Sequence, residues 1–346
     1  MTVDQMDRPD LSDAPPEIVA YIEALEDALA QAQTQPSART ARADVELEPS
    51  EPPTTRNIIT ISRAGMAKRT PRHFYSRQRR GGMGVFDLDT DEDDPPAFLA
   101  EADESEGVLL LTDQGRAFRL NVADLAESPV RARGISLAQK FGFRPDENLA
   151  AVQADGDGTH LILVTQRGQV RRFAAHLVGT ALRPGTELTN PREGGPPAAL
   201  CWSKGSGDLL IATRSGKAIR FSERQVPVRG CLGMRLDRDD VVCGVAAVDE
   251  ESGVFLVEPE GKGTVRQMSG FSANKSPGSG GKTGMKTDVL IGTLGVEPSQ
   301  DLFMISRLGK IIRFAADDVP PKTGVVQGVN CMSLRADEVT AITVAG

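Results

Sequence analysis

From Arg56 onward one hydrophobic pattern recurs. An aliphatic or β-branched run ends in Ser or Thr, turns on Gly, and resumes as a strand bearing Arg. The first copy is Ile58-Ile59-Thr60-Ile61-Ser62 with Gly65 and Arg69, and the second is Val108 to Thr112 with Gly115 and Arg119. Leu161 to Thr165 with Gly168 and Arg172, and Leu209 to Thr213 with Gly216 and Arg220, follow. The last copy is Leu302 to Ser306 with Gly309 and Arg313. In the fifth copy, Val254 to Val257 with Gly261 and Arg266, the arginine sits one residue further from the glycine, which reads as one extra residue.

Each copy predicts strand, tight turn, strand, because glycine tolerates the positive φ of hairpin turns. The turn glycines are spaced by 45 to 53 residues, near the length of a four-stranded propeller blade. Six such units predict an all-β, six-bladed, propeller-like domain over residues 56–346, because radial closure protects sheet edges. An open solenoid or two sandwiches would use the same strands.

The pattern ahead of Arg56 differs. Ile18, Ile22, Leu25 and Leu29 lie on one stripe of a helix over about residues 15–33, with Asp13 as cap and Pro15 and Pro16 in the first turn. Residues 34–55, rich in Gln, Ser, Pro and Glu, read as a disordered linker, so residues 1–55 form an arm. No run of eighteen apolar residues and no apolar leader occurs, which predicts a cytoplasmic protein with no membrane partner. The four cysteines and three histidines are scattered, so neither a disulfide framework nor a metal site is expected.

The net charge of −8 argues against a polyanionic partner until its distribution is considered. Residues 1–55 hold 12 acids and 3 bases, leaving 36 acids against 37 bases in the repeats. Asp87 to Glu106 carries ten acids and no base, whereas Arg63 to Arg80 carries seven bases and no acid. Base is thus left on the folded body, while the acidic segments could compete for it.

The densest cationic stretch runs from Lys68 and Arg69 through Tyr75 and Arg77 to a box, Gln78-Arg79-Arg80-Gly81-Gly82-Met83-Gly84. Forked guanidinium donors and main-chain amides freed by glycine are what phosphate oxygens need, and the glycines would let a rod-like ligand approach. Counterparts follow the later repeats: Arg131-Ala132-Arg133-Gly134, Arg183-Pro184-Gly185, Arg229 to Gly233, Gly280 to Gly284 around Lys282, and Gly324 to Gly328. The last has only Lys322 ahead of it and is expected to contact least. Together with Arg119, Arg172, Arg220 and Arg313, these bases predict a ring of positive charge along which a duplex must bend. Such bending costs about 1–6 kcal/mol over 20–30 base pairs. Ser276 to Thr283 approximates a phosphate-binding loop, but Ser276 replaces the first glycine and no helix follows, so no nucleotide cofactor is expected. The isolated histidines offer no nucleophile or metal pattern.

The box resembles the signature of the C-terminal domain of the DNA gyrase A subunit, Gln-Arg-Arg-Gly-Gly-Lys-Gly. Lys68-Arg69-Thr70-Pro71, Tyr75 three residues before Gln78, Gly115 to Leu120 and Arg131 to Gly134 are similar too. The resemblance implies a β-pinwheel, in which neighbouring blades exchange strands, with duplex DNA wrapped around a basic rim. Gyrase or topoisomerase IV subunits are implied partners, and no small-molecule substrate is. It also implies a non-catalytic chain, since the family's cleaving tyrosine belongs to another domain and Tyr75 would pack or contact DNA. Met83 stands where the family has Lys, which removes about one phosphate contact. With the acidic segments, that change leaves a second reading open, a propeller that binds protein and has lost wrapping.

Overall fold

A computed structural model describes Pro15, Ile18, Ile22 and residues 51–346. Of the expected arm helix over about residues 15–33, Ile18 and Ile22 are helical and Pro15 is not; its other residues, and linker residues 34–50, lie outside the described residues.

Among the described residues the chain forms six sheets, here blades 1 to 6 in the order of their hairpins. In blade 1, Arg56–Ser62 pairs antiparallel with Met66–Pro71 on one side and Pro96–Asp103 on the other. The hairpins of blades 2 to 6 are Gly107–Thr112 with Arg116–Asn121, His160–Thr165 with Gln169–Ala174, Asp208–Thr213 with Lys217–Ser222, Gly253–Val257 with Lys262–Gln267, and Asp301–Ser306 with Lys310–Ala315. The recurring Ser or Thr is part of the turn. Ser62, Thr112, Thr165 and Ser306 each accept a hydrogen bond from the backbone N–H four residues on, at 2.9–3.2 Å.

The outermost strand of each blade comes from the next repeat. Ile135–Ser136 completes blade 1, Thr186–Glu187 blade 2, Cys231–Leu232 blade 3 and Lys282–Thr283 blade 4. Blade 5 takes Pro321–Lys322 in parallel and Val329–Asn330 antiparallel. Val85–Phe86, from the first repeat, pairs with Lys310 and Ile311 of the last and closes the ring. Each crossing segment docks on a turn glycine, as in Leu188 N–H to Gly115 O at 2.9 Å and Asp87 N–H to Gly309 O at 2.8 Å. A Cβ on Gly115, whose φ is +78°, would lie 2.2 Å from Thr189 O, so the turn needs glycine both for φ and for the crossing.

The core is divided into six seams, each filled from two consecutive blades. Ile59, Ile61, Val108, Leu110 and Phe118 fill the seam of blades 1 and 2, and Ile58, Tyr75, Leu99, Phe303 and Ile305 fill that of blades 6 and 1. The last seam shows directly that the ring closes, which excludes the open solenoid and paired sandwiches. The inner strands line a channel of about 660 Å³ rich in alanine.

The fifth repeat holds no extra residue. Six residues separate the turn glycine from the end of the second strand in every blade. In blade 5 Val265 occupies the usual arginine position and Arg266 follows it. Because side chains alternate along a strand, the shift sends Arg266 to the opposite face.

Candidate nucleic-acid interface

The expected contact residues separate into an outer set and a buried set. Arg77, Arg79, Arg131, Arg133 and Arg229 are exposed, and Gln78, Arg80 and Lys282 are half-buried, on segments that carry the exchanged outer strands. Several of the outer segments hydrogen-bond to a neighbouring one along the rim. Gly81 N–H donates to Cys331 O at 2.8 Å, Ala132 N–H to Asp87 O at 3.1 Å, and Gly278 N–H to Gly233 O at 3.0 Å. Arg80 Nη1 donates to Asn330 O at 2.7 Å, Arg77 pairs with Asp301 at 2.9 Å, and Arg133 with Asp91 at 3.5 Å.

The glycines of the box serve the fold, not ligand approach. Gly81, Gly82 and Gly84 donate their N–H groups to Cys331 O, Arg79 O and Gln78 Oε1, so these amides are occupied. A Cβ on Gly84 would lie 2.5 Å from Ile311 O. The box is a turn that must lie flat where the chain crosses from blade 1 to blade 6.

Lys68 and Tyr75 do not reach the surface. Lys68 Nζ is fully buried and donates to Asp87 Oδ1 at 2.7 Å, Thr70 Oγ1 at 2.8 Å and Val130 O at 2.5 Å. Tyr75 Oη donates to Asp87 Oδ1 at 2.6 Å, and Thr60 Oγ1 to Asp87 Oδ2 at 2.7 Å. Burial pushes the Lys68 ammonium below its ordinary value against the pull of Asp87. Burial, then the Asp87 charge, pushes the Tyr75 phenol well above its own. This cluster joins the blade 1 hairpin to the segments on either side of the first two boxes. Asp87 is its hub, and nothing in the sequence sets that carboxylate apart from the nine other acids around it.

The once-per-blade arginines are likewise structural. Arg69, Arg220 and Arg313 are buried, and Arg119 and Arg172 nearly so. Arg69 reaches the Val122 carbonyl of blade 2, and Arg172 lies 3.5 Å from Glu223 of blade 4. Arg220 Nη1 donates to Met268 O and Phe271 O of blade 5 at 2.8 and 3.0 Å. Arg313 Nη1 donates to Arg72 O and Tyr75 O of blade 1 at 3.3 and 3.1 Å. Arg119 pairs with Asp155. The strand position faces the following blade, so a long forked side chain there ties one blade to the next. Glu51, assigned to the linker by composition, fastens the final seam by pairing with Arg313 at 3.0 Å and Arg72 at 3.0 Å.

The rim also carries exposed apolar groups. Met83 is 56% exposed and Phe86 53%. Arg131 and Lys310 lie 5.8 and 5.4 Å from the centre of the Phe86 ring.

A family model described as the DNA gyrase C-terminal domain, beta-propeller, matches residues 56–94, 108–154, 159–185, 207–249 and 300–344, passing over blade 5. The chain is 30% identical over 308 residues to the DNA gyrase A protein of Mycobacterium tuberculosis, covering 82% of this chain and 36% of the relative. It is 28% identical over 301 residues to that of Mycolicibacterium smegmatis, covering 83% and 36%. The chain thus spans about a third of the curated relatives it matches. A solved DNA gyrase A C-terminal domain superposes with a TM-score of 0.73 at 18% identity, covering 84% of this chain and all of that one. The C-terminal domain of a DNA topoisomerase IV superposes with a TM-score of 0.59 at 17% identity, covering 84% and 93%. With its fold closed, its strands exchanged and more than half its length matched, the chain belongs to the DNA gyrase C-terminal domain family.

Proposed function

We propose that this chain binds duplex DNA along the rim without reading its sequence, and bends it. The observation that carries the reading is that solvent-reaching arginines in and beside the boxes (Arg77, Arg79, Arg80, Arg131, Arg133 and Arg229) lie on the outer segments of the first, second and fourth boxes of a closed ring, the first two of which hydrogen-bond to each other. A duplex held at successive boxes must curve, and charge-assisted contacts to phosphate offset that cost. No recognition helix stands on the rim among the described residues, which fits backbone binding over base readout. The chain would act on the nucleoid, as an accessory to separate topoisomerase subunits that supply strand cleavage, and it would perform no catalysis itself.

The test is Arg79→Gln with Arg80→Gln. Duplex affinity should fall by about tenfold or more, with folding stability within about 0.5 kcal/mol of the parent. Unchanged affinity would remove the box from the interface. The exposed Met83 and Phe86, with Asp91 set against Arg133, favour a second reading as a protein-binding rim. Under that reading no duplex binds at all.

A further inference from the structure

The shift of Arg266 to the other strand face leaves charges that the blade does not neutralise. In the other blades the equivalent position holds Thr70, Leu120, Phe173, Phe221 or Phe314. Arg266 is 5% exposed and faces the seam of blades 4 and 5, into which Arg220 already points from blade 4. Both close on the turn at Met268 to Ser272, where Lys282 arrives on the exchanged strand of blade 4. Arg220 holds the Met268 and Phe271 carbonyls, Arg266 Nη2 the Gly270 carbonyl at 3.1 Å, and Lys282 Nζ the Ser272 carbonyl at 3.4 Å. Arg266 and Lys282 lie 5.7 and 4.1 Å from the centre of the same Phe271 ring.

Arg220 is balanced by Asp208 and Glu250, both at 2.9 Å. Among the described residues Arg266 and Lys282 have no carboxylate within 4 Å, and Arg266 Nε and Nη1 are buried without a hydrogen-bond partner. A buried, unpaired guanidinium next to like charge is costly unless an anion joins it. Burial first, then Arg266, Lys275 and Arg220, pushes the Lys282 ammonium down, which records a local field with no compensating acid.

We propose that the seam of blades 4 and 5 is an anion site, in which Arg266 and Lys282 take one phosphate-type oxyanion beneath the exposed Ser272 to Ser276 loop. The oxyanion is either a DNA backbone phosphate, which rests on the DNA-binding reading above, or a free phosphate, which does not. The site would then add a cationic point to the rim in the blade that the family model passes over.

Arg266→Leu is the informative variant, since it restores the apolar residue that four of the other five blades carry and should fold at least as well. Melting of the full chain is followed in inorganic phosphate and in chloride of matched ionic strength. Phosphate should raise the parent by about 2–4 °C more than it raises Arg266→Leu, and Lys282→Gln should show the same loss. Equal responses of all three chains would overturn the site. Duplex affinity, measured in parallel, identifies the occupant. A loss of about tenfold in Arg266→Leu assigns a DNA phosphate. Unchanged affinity with a lost phosphate response assigns the free anion. Should the parent bind no DNA, the melting comparison alone decides the site.

Discussion

Lys68 separates the two roles that a basic residue near the box can have. Its ammonium is fully buried and donates to Asp87, Thr70 and a backbone carbonyl of the second box segment. Lys68→Met removes the cation and leaves Asp87, itself fully buried, with Tyr75 and Thr60 as its remaining side-chain donors. Breaking a buried pair from one side costs about 3–5 kcal/mol, because the surviving charge is left uncompensated. Urea unfolding should therefore show an unfolding free energy lowered by that amount, read as a lower midpoint with the slope unchanged. Adding Asp87→Asn should recover part of the loss, because the amide needs no counter-charge. Where folded, Lys68→Met should bind duplex as the parent does. Parental stability combined with weakened DNA binding would refute this reasoning and return Lys68 to the interface.

Three further outcomes follow from the same geometry. Burial would raise the Glu51 carboxyl, but hydrogen bonds from Arg313 and Arg72 outweigh it and hold it below its ordinary value of 4.5. Its contribution to stability is therefore complete above that value and lost as pH falls through the lowered one, and Glu51→Gln should flatten the acid limb of a stability–pH profile. Met83→Lys adds a cation at a 56% exposed position, so the salt slope of duplex binding should steepen by about 0.9 with stability unchanged within about 0.5 kcal/mol. Asp91→Asn releases Arg133 from an exposed pair, and duplex affinity at low salt should rise by about two- to fivefold, in line with about 0.2–1 kcal/mol for such pairs.

The ring and its six units were legible because the turn glycines must recur wherever a crossing strand docks, and because alternation marks each hairpin. Strand exchange was legible only through family resemblance, since two-residue strands such as Val85–Phe86 leave no periodic signal. The candidate interface keeps Arg79, Arg80, Arg131 and Arg229, loop residues that reach solvent. It was misread at Arg69, Arg220 and Arg313, because a once-per-repeat arginine looks the same whether it meets phosphate outside or a carbonyl of the next blade inside. Lys68 and Tyr75 misled for a related reason: their partner Asp87 lies in an acidic stretch whose other members mostly face water. Spacing did carry one distinction, the displaced Arg266, whose meaning depends on the strand face and not on an inserted residue.

The central claim, that the rim binds DNA by its phosphates, is tested most directly by the affinity for a short duplex measured across salt. Six rim arginines predict a log–log slope of about −5, and thus a loss of about 10³ in affinity between about 50 and 200 mM salt, whatever the sequence of the duplex. A slope near zero, or no binding at the lower salt, would contradict the account.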